Sequence, residues 1–302
     1  MQNTTYPVPI TFYYDFINTT DDSRQWVMHE FAVNGAKHLV LCDDLIRQIL
    51  FRAPLIDKLQ QEMADEGLTF VDAHAPFGPD LDMNCVNSAR RRMAWARHKL
   101  SLEICAHLGV DTITIHVGNT NNDVQRAIPI ETHFKLVCET LDEILPVAEK
   151  AGVTVAIENI WFTTNTPEFL LQVKEKFPTD ALGFCYDAGH ANLMSSHGKE
   201  FPEGNAGKAW GLLGLTPTWD DGILEKMLPH LVNCHLHDNN GNADYHRNIG
   251  NGNINWQHIS ALLKQAPRLK NIQSEVIPCR TQSAIKDICA AMFKLFPEAE
   301  GL

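Results

Sequence analysis

Residues 235–253 read HLHDNNGNADYHRNIGNGN, with three histidines, two aspartates and three glycines in 19 positions. Imidazoles and carboxylates bind divalent cations through nitrogen and oxygen, and they move protons near neutral pH. A surface loop needs polar residues, but it does not need imidazoles at this density. The stretch follows the apolar run that begins at Leu231, so His235 stands near the end of a buried element.

Similar residues end other β-type runs. His74 ends LTFVDAH (68–74), His116 lies in TITIHV (112–117) and Glu158 in VTVAIEN (153–159). Asp187 ends LGFCYD (182–187), His235 lies in LVNCHLH (231–237) and Glu275 in NIQSEVI (271–277). Two earlier runs, PITFYY (9–14) and KHLVL (37–41), bring the strands to eight. Helical patterns lie between them. The clearest spans 131–152, where Phe134, Val137, Leu141 and Ile144 recur at three- and four-residue spacing and Gly152 is a stop signal. Alternating units of this kind, without linker or internal repeat, predict an α/β fold: a single (β/α)₈ TIM barrel filling residues 1–302 as one domain. A doubly wound sheet is the alternative, but no Gly-rich dinucleotide fingerprint follows the first strand.

Strand phase sharpens this expectation. Ile113, Ile115 and Val117 share one face of the fourth strand, and Thr112, Thr114 and His116 the other. In the fifth, Val153, Val155 and Ile157 oppose Thr154, Ala156 and Glu158. β-Branched residues belong against the surrounding helices, so His116 and Glu158 are expected to point inward at the C-terminal rim, where barrel enzymes build their sites. Taken singly, each histidine reads as a hydrogen-bonded structural residue, and Glu158 or Asp187 as a helix cap. Taken together, converging carboxylates and imidazoles would repel or stay unsatisfied without a cation among them. Mixed oxygen and nitrogen donors suit Mn²⁺, Zn²⁺, Fe²⁺ or Co²⁺.

The bulk numbers narrow the function class. The chain carries 25 basic and 37 acidic side chains, a net charge of −12, which disfavours a polyanionic partner such as nucleic acid. Arg90, Arg91 and Arg92 share a helical stretch with Met93, Ala96, Leu100 and Ile104, and read as a solvated face. The eight cysteines include no CxxC pair, which fits reduced thiols in a cytoplasmic protein and rules out a thiolate metal site. No secretion signal opens the sequence and no apolar run is long enough for a membrane span. Trp161 can wall a substrate pocket. The Gly-rich insertion at about 195–219 reads as a lid, a contact in a homo-oligomer, or a passive surface loop.

The motifs AIEN (156–159), YDAGH (186–190), HLHDN (235–239), DYH (244–246), GNGNINW (250–256) and SEV (274–276) resemble the xylose-isomerase-like barrel superfamily, which holds sugar isomerases and epimerases together with endonuclease IV. The resemblance to the sugar isomerases implies one divalent metal held by Glu158, Asp187, His235 and Glu275, with Glu158 and Glu275 also serving as the acid/base pair. It places His190 in contact with substrate. The resemblance to endonuclease IV implies a larger set of nine ligands, adding His74, His116, His190, Asp244 and His246. The segment APFGPDLDMNC (75–85) departs from the endonuclease pattern. The expected function is therefore a divalent-metal-dependent isomerase or epimerase of a small carbohydrate or related hydroxy-carbonyl. The alternative is a multinuclear zinc phosphodiesterase acting on abasic DNA.

Overall fold

The computed structural model describes residues 5–302, and all eight expected strands are present. They are β1 (Ile10–Phe12), β2 (His38–Leu41), β3 (Thr69–His74), β4 (Thr112–Ile115), β5 (Thr154–Glu158), β6 (Leu182–Asp187), β7 (Leu231–Leu236) and β8 (Ile272–Ser274). Every neighbouring pair is parallel, and β1 closes on β8 through Ile10 and Ile272, completing a barrel in sequence order. The helix Ile130–Ala151 ends at Gly152 with φ 71°, the left-handed stop its spacing predicted. Among the described residues, no helix is long and apolar enough to cross a membrane.

The phase read from sequence places two different cores. Ile113, Ile115, Val155 and Ile157 pack outward against helices in one large apolar cluster with Leu141 and Ile144. Inside the barrel the apolar content is small: Ala156, Cys185 and Val232 form a separate cluster. Polar side chains fill much of the remainder. Thr112 Oγ1 donates to Asp72 Oδ1 at 2.7 Å, and Asn233 Nδ2 lies 3.1 Å from both Asp72 oxygens. Asn271 Nδ2 donates to Thr112 Oγ1 at 2.7 Å, and Thr114 Oγ1 lies 3.3 Å from His235 Nε2. Burial pushes the Asp72 carboxyl up to about 6, opposed by the Thr112 hydrogen bond, His235 and Asn233.

Two expectations need correction. On the helix Ser88–Leu108, Met93 and Leu100 are exposed, and the buried face is Ala94, His98, Ser101, Leu102, Ile104 and Cys105. That face joins apolar Leu102, Ile104 and Cys105 to His98, whose Nε2 lies 2.7 Å from Leu81 O, and Trp95 Nε1 donates to Thr140 Oγ1 at 2.9 Å. Arg90 and Arg91 are tied to Asp80 and Glu139. Secondly, the insertion is more than a loop. It contains the short helices Ser196–Lys199 and Asn205–Gly211.

The interior network yields a stability prediction. Replacing Asn233 by Leu keeps the side chain's branching and heavy-atom count but leaves Asp72 buried without its two amide contacts. We expect a loss of about 1–3 kcal/mol in equilibrium urea unfolding. An unchanged midpoint and slope would show that the network is not needed for stability.

Candidate metal centre

The strand register brings the candidate residues together. Asp187 on β6 lies opposite His235 on β7, and Glu158 on β5 lies opposite Cys185, two residues before Asp187. His116 follows β4 by one residue and Glu275 follows β8 by one. The Asn of the AIEN motif locks two of these strand ends. Asn159 accepts from the Asp187 amide at 2.8 Å and donates to its carbonyl at 2.9 Å.

At the centre stands His235. Its Nδ1 lies 3.3 Å from Glu158 Oε1 and 3.3 Å from Glu275 Oε1, while Nε2 is turned to Thr114. Glu158 is further approached by His190 Nδ1 at 3.2 Å and by His116 Nε2 at 3.3 Å. Burial alone would raise the Glu158 carboxyl, but His235, His116 and His190 overcome it and hold it well below the usual range. Glu275 goes the other way. Burial lifts it well above the usual range, and the Asp187 and Glu158 carboxylates add to the lift against His235. His235 itself, disfavoured by burial, is carried to about 9 by Glu275 and Glu158. Burial and the imidazoles of His116 and His235 drive His74 down to about 3.

Asp187 does two jobs. Its Oδ1 caps the helix Ala188–Met194 by accepting from the His190 amide at 2.6 Å. Its Oδ2 lies 3.1 Å from His237 Nε2. Asp244 and His246 stand on the loop after β7. Their side chains meet at 3.0 Å, and His246 Nδ1 lies 2.8 Å from the Glu275 carbonyl. His246 adopts φ 49°, in the left-handed region, held by the antiparallel bridge between Asp238 and Arg247. The glycines that follow serve this loop. A side chain at Gly252 would overlap Asp238 Oδ1 and the Asn239 carbonyl.

These donors fit a divalent cation. Buried polar atoms without a hydrogen-bond partner include Glu158 Oε2, His235 Nδ1 and Asp244 Oδ1. Glu158, Asp187, His235 and Glu275 present one ligand atom each, all within 4.8 Å of one another. The same closeness holds for His74, His116 and Glu158, and for His237, Asp244 and His246. None of these three groups includes a cysteine; the cysteines are free, and all but Cys279 are buried. Above the centre opens a cavity of about 430 Å³, lined by His74, His116, Glu158, His190, Asp244, His246 and Glu275, and by Tyr13, Phe77, Trp161, Ile277 and Arg280 among others. Trp161 meets the His190 ring edge-on at 4.9 Å. The insertion braces this wall. Trp210 Nε1 donates to the Trp161 carbonyl at 3.0 Å, and Asn205 Oδ1 accepts from the Asp244 amide at 2.8 Å.

Residues 34–273 match the Xylose isomerase-like TIM barrel family. The chain belongs to that family. An uncharacterised protein of Methanocaldococcus jannaschii is 27% identical over 223 residues, covering 71% of this chain and 67% of the relative. Among solved structures, a D-tagatose 3-epimerase-like protein superposes with a TM-score of 0.72 at 20% identity, over 95% of this chain and 97% of the other. An IolI protein with a bound zinc atom superposes with a TM-score of 0.69 at 16% identity, over 98% and 100%. At these identities the superpositions establish the shared fold.

Within this family member, sequence reasoning left out His237. It is fully buried, contacts Asp187, and stacks on His246 with ring centroids 4.0 Å apart. Gly189 makes room for it, since a side chain there would overlap the imidazole ring. The signal was the second histidine of HLH, two residues beyond His235 and so in the same strand phase. His237 orients Asp187, so its replacement should weaken metal binding. We expect His237→Gln and Gly189→Ala each to lower zinc affinity about 10–100-fold in competition with a chromophoric chelator. Wild-type affinity in both variants would show that His237 does not orient a ligand.

Proposed function

We propose that this protein is a divalent-metal-dependent isomerase or epimerase acting on a small sugar or related hydroxy-carbonyl compound. The observation that carries this reading is the pair of buried glutamates, each 3.3 Å from the same His235 nitrogen, opening together into a cavity of about 430 Å³. Carboxylates from two strands flank one small volume, as proton abstraction and return at carbon require. The similarity to an epimerase-like protein and to a zinc-binding IolI structure supports it.

Glu158, Asp187, His235 and Glu275 would hold the ion, which supplies Lewis acidity toward a carbonyl and its neighbouring hydroxyl when bound. One glutamate takes the proton from the carbon beside the carbonyl. The other returns a proton, to the opposite face for epimerisation or, for isomerisation, to the former carbonyl carbon while the hydroxyl proton passes to the former carbonyl oxygen. His190, His74, His116, Asp244 and His246 line the cavity or its floor and offer hydrogen bonds to hydroxyl groups, and Trp161 walls one side.

The phosphodiesterase reading has one observation in its favour, the additional groups His74–His116–Glu158 and His237–Asp244–His246. Against it stands the charge. Four acids line the cavity, Arg280 is its one Lys or Arg, and the whole chain carries twelve more acids than bases. Gripping DNA requires several phosphates to be neutralised around the rim.

Glu158→Gln and Glu275→Gln should each reduce metal-dependent exchange of a carbon-bound ketose proton with solvent deuterium by on the order of 10²–10⁴-fold, with an unchanged circular dichroism spectrum. Near wild-type exchange in either variant removes that residue from the acid/base pair. Elemental analysis of protein purified without chelator should find about one tightly held divalent ion per chain, since four ligands complete one site. Three zinc ions per chain, together with incision of an abasic duplex that disappears on mutating Asp244 or His246, would establish the phosphodiesterase instead.

A further inference from the structure

We infer that the substrate carries a carboxylate in addition to its reacting carbonyl, and that Arg280 holds it. The inference rests on the reading that this cavity turns over a hydroxy-carbonyl compound, and it names which kind.

The cavity is lined by Asp82, Glu158, Asp244 and Glu275, and by Arg280 as its single Lys or Arg. Arg280 is thus the one residue among the described lining whose positive charge depends on neither a bound ion nor a protonated imidazole. Nearby acids do not consume the charge. Glu275 is taken by His235 at 3.3 Å and His246 at 3.8 Å, and Asp244 by His246 at 3.0 Å. Arg280 is exposed, and among the described residues no carboxylate comes within the 4.0 Å reach of an ion pair with it, as is also true of Arg92, Arg97 and Arg247. The Arg280 backbone is fixed. Its amide donates to the Ile277 carbonyl at 3.1 Å, and the Thr281 amide and hydroxyl donate to the same oxygen at 3.1 and 3.0 Å. The Ile277 amide in turn bonds to the His246 carbonyl at 3.4 Å, so this turn is stitched to the loop that carries Asp244 and His246.

A guanidinium meets a carboxylate through two parallel N–H donors, and a single arginine suffices for one unit of charge. A phosphate brings nearly two charges, and would face four acids with one arginine to offset them. Carboxylate is therefore the better match. With one end held at Arg280, an open-chain substrate has one way to lie across the glutamates, which fixes the carbon that loses its proton.

The test compares three matched ligands on metal-loaded protein by calorimetry: a neutral ketohexose, the same ketose with a terminal carboxylate, and its terminal phosphate ester. Solvent-deuterium exchange is followed by NMR in parallel. The carboxylate should bind about 10–100-fold more tightly than the neutral ketose, the difference a charge-assisted hydrogen-bonded pair contributes. That preference should vanish in Arg280→Gln and survive in part in Arg280→Lys, with metal content unchanged in both. Equal binding of neutral and carboxylate ligands, a preference that persists in Arg280→Gln, or binding of none of the three would overturn the inference. Tighter binding of the phosphate would overturn the choice of carboxylate. Arg280-dependent carboxylate binding without exchange in any ligand would leave Arg280 its role and refute isomerase chemistry. Exchange without any charge preference would do the reverse.

Discussion

A carboxylate buried from water, with imidazoles from three separate elements within 3.3 Å, is the constraint on which the rim depends. An isolated buried charge costs far more than a fold can spare, so Glu158 keeps its charge only where His116, His190 and His235 stand around it. Those histidines lie after β4, on the helix after β6, and on β7. Their convergence requires the whole barrel to be closed and in register. A slip of one residue on β5 would turn Glu158 into the outer apolar layer and leave three imidazoles without their counter-charge.

That dependence runs down into the barrel as well. His235 is held at Nε2 by Thr114, which shares Asn233 with Asp72, so the polar interior is joined by hydrogen bonds to the cluster at the rim. A connected buried network of this kind tolerates little disorder, because each unsatisfied member loses its solvation without compensation. Asp187 shows the same economy. One oxygen caps a helix, the other meets His237, and the backbone on both sides is pinned by Asn159.

Loops finish what the strands begin. The insertion after β6 reaches across to the loops after β5 and β7, holding the Trp161 carbonyl and the Asp244 amide. The turn after β8 is bonded to the His246 carbonyl and carries Arg280 to a cavity with four acids in its lining. Loops seated on one another in this way can present side chains with the rigidity normally expected of strands.

The eight strands, their inward faces and the meeting of six strand-end histidines and carboxylates at one rim were legible in the sequence because they follow local periodicity. A period of two sorts β-branched from polar residues, and a period near 3.6 separates the intervening helices. His74, His116, Glu158, Asp187, His235 and Glu275 could therefore be assigned to one rim once the barrel was inferred. Other features had no such local signal. His237 depends on the missing side chain of Gly189, 48 positions earlier, and on an oxygen that Asp187 has left over. The buried face of Ser88–Leu108 includes His98, bonded to the Leu81 carbonyl, and Trp95 reaches Thr140, contacts that no local spacing announces. Asn205 and Trp210 act through backbone groups of distant loops, and Arg280 shares a cavity with acids from four other segments of the chain. Sequence determined which residues alternate and, to within about three residues, where each strand ends. Only closure of the barrel decided which loops touch, because those contacts join residues whose separation along the chain carries no repeating pattern.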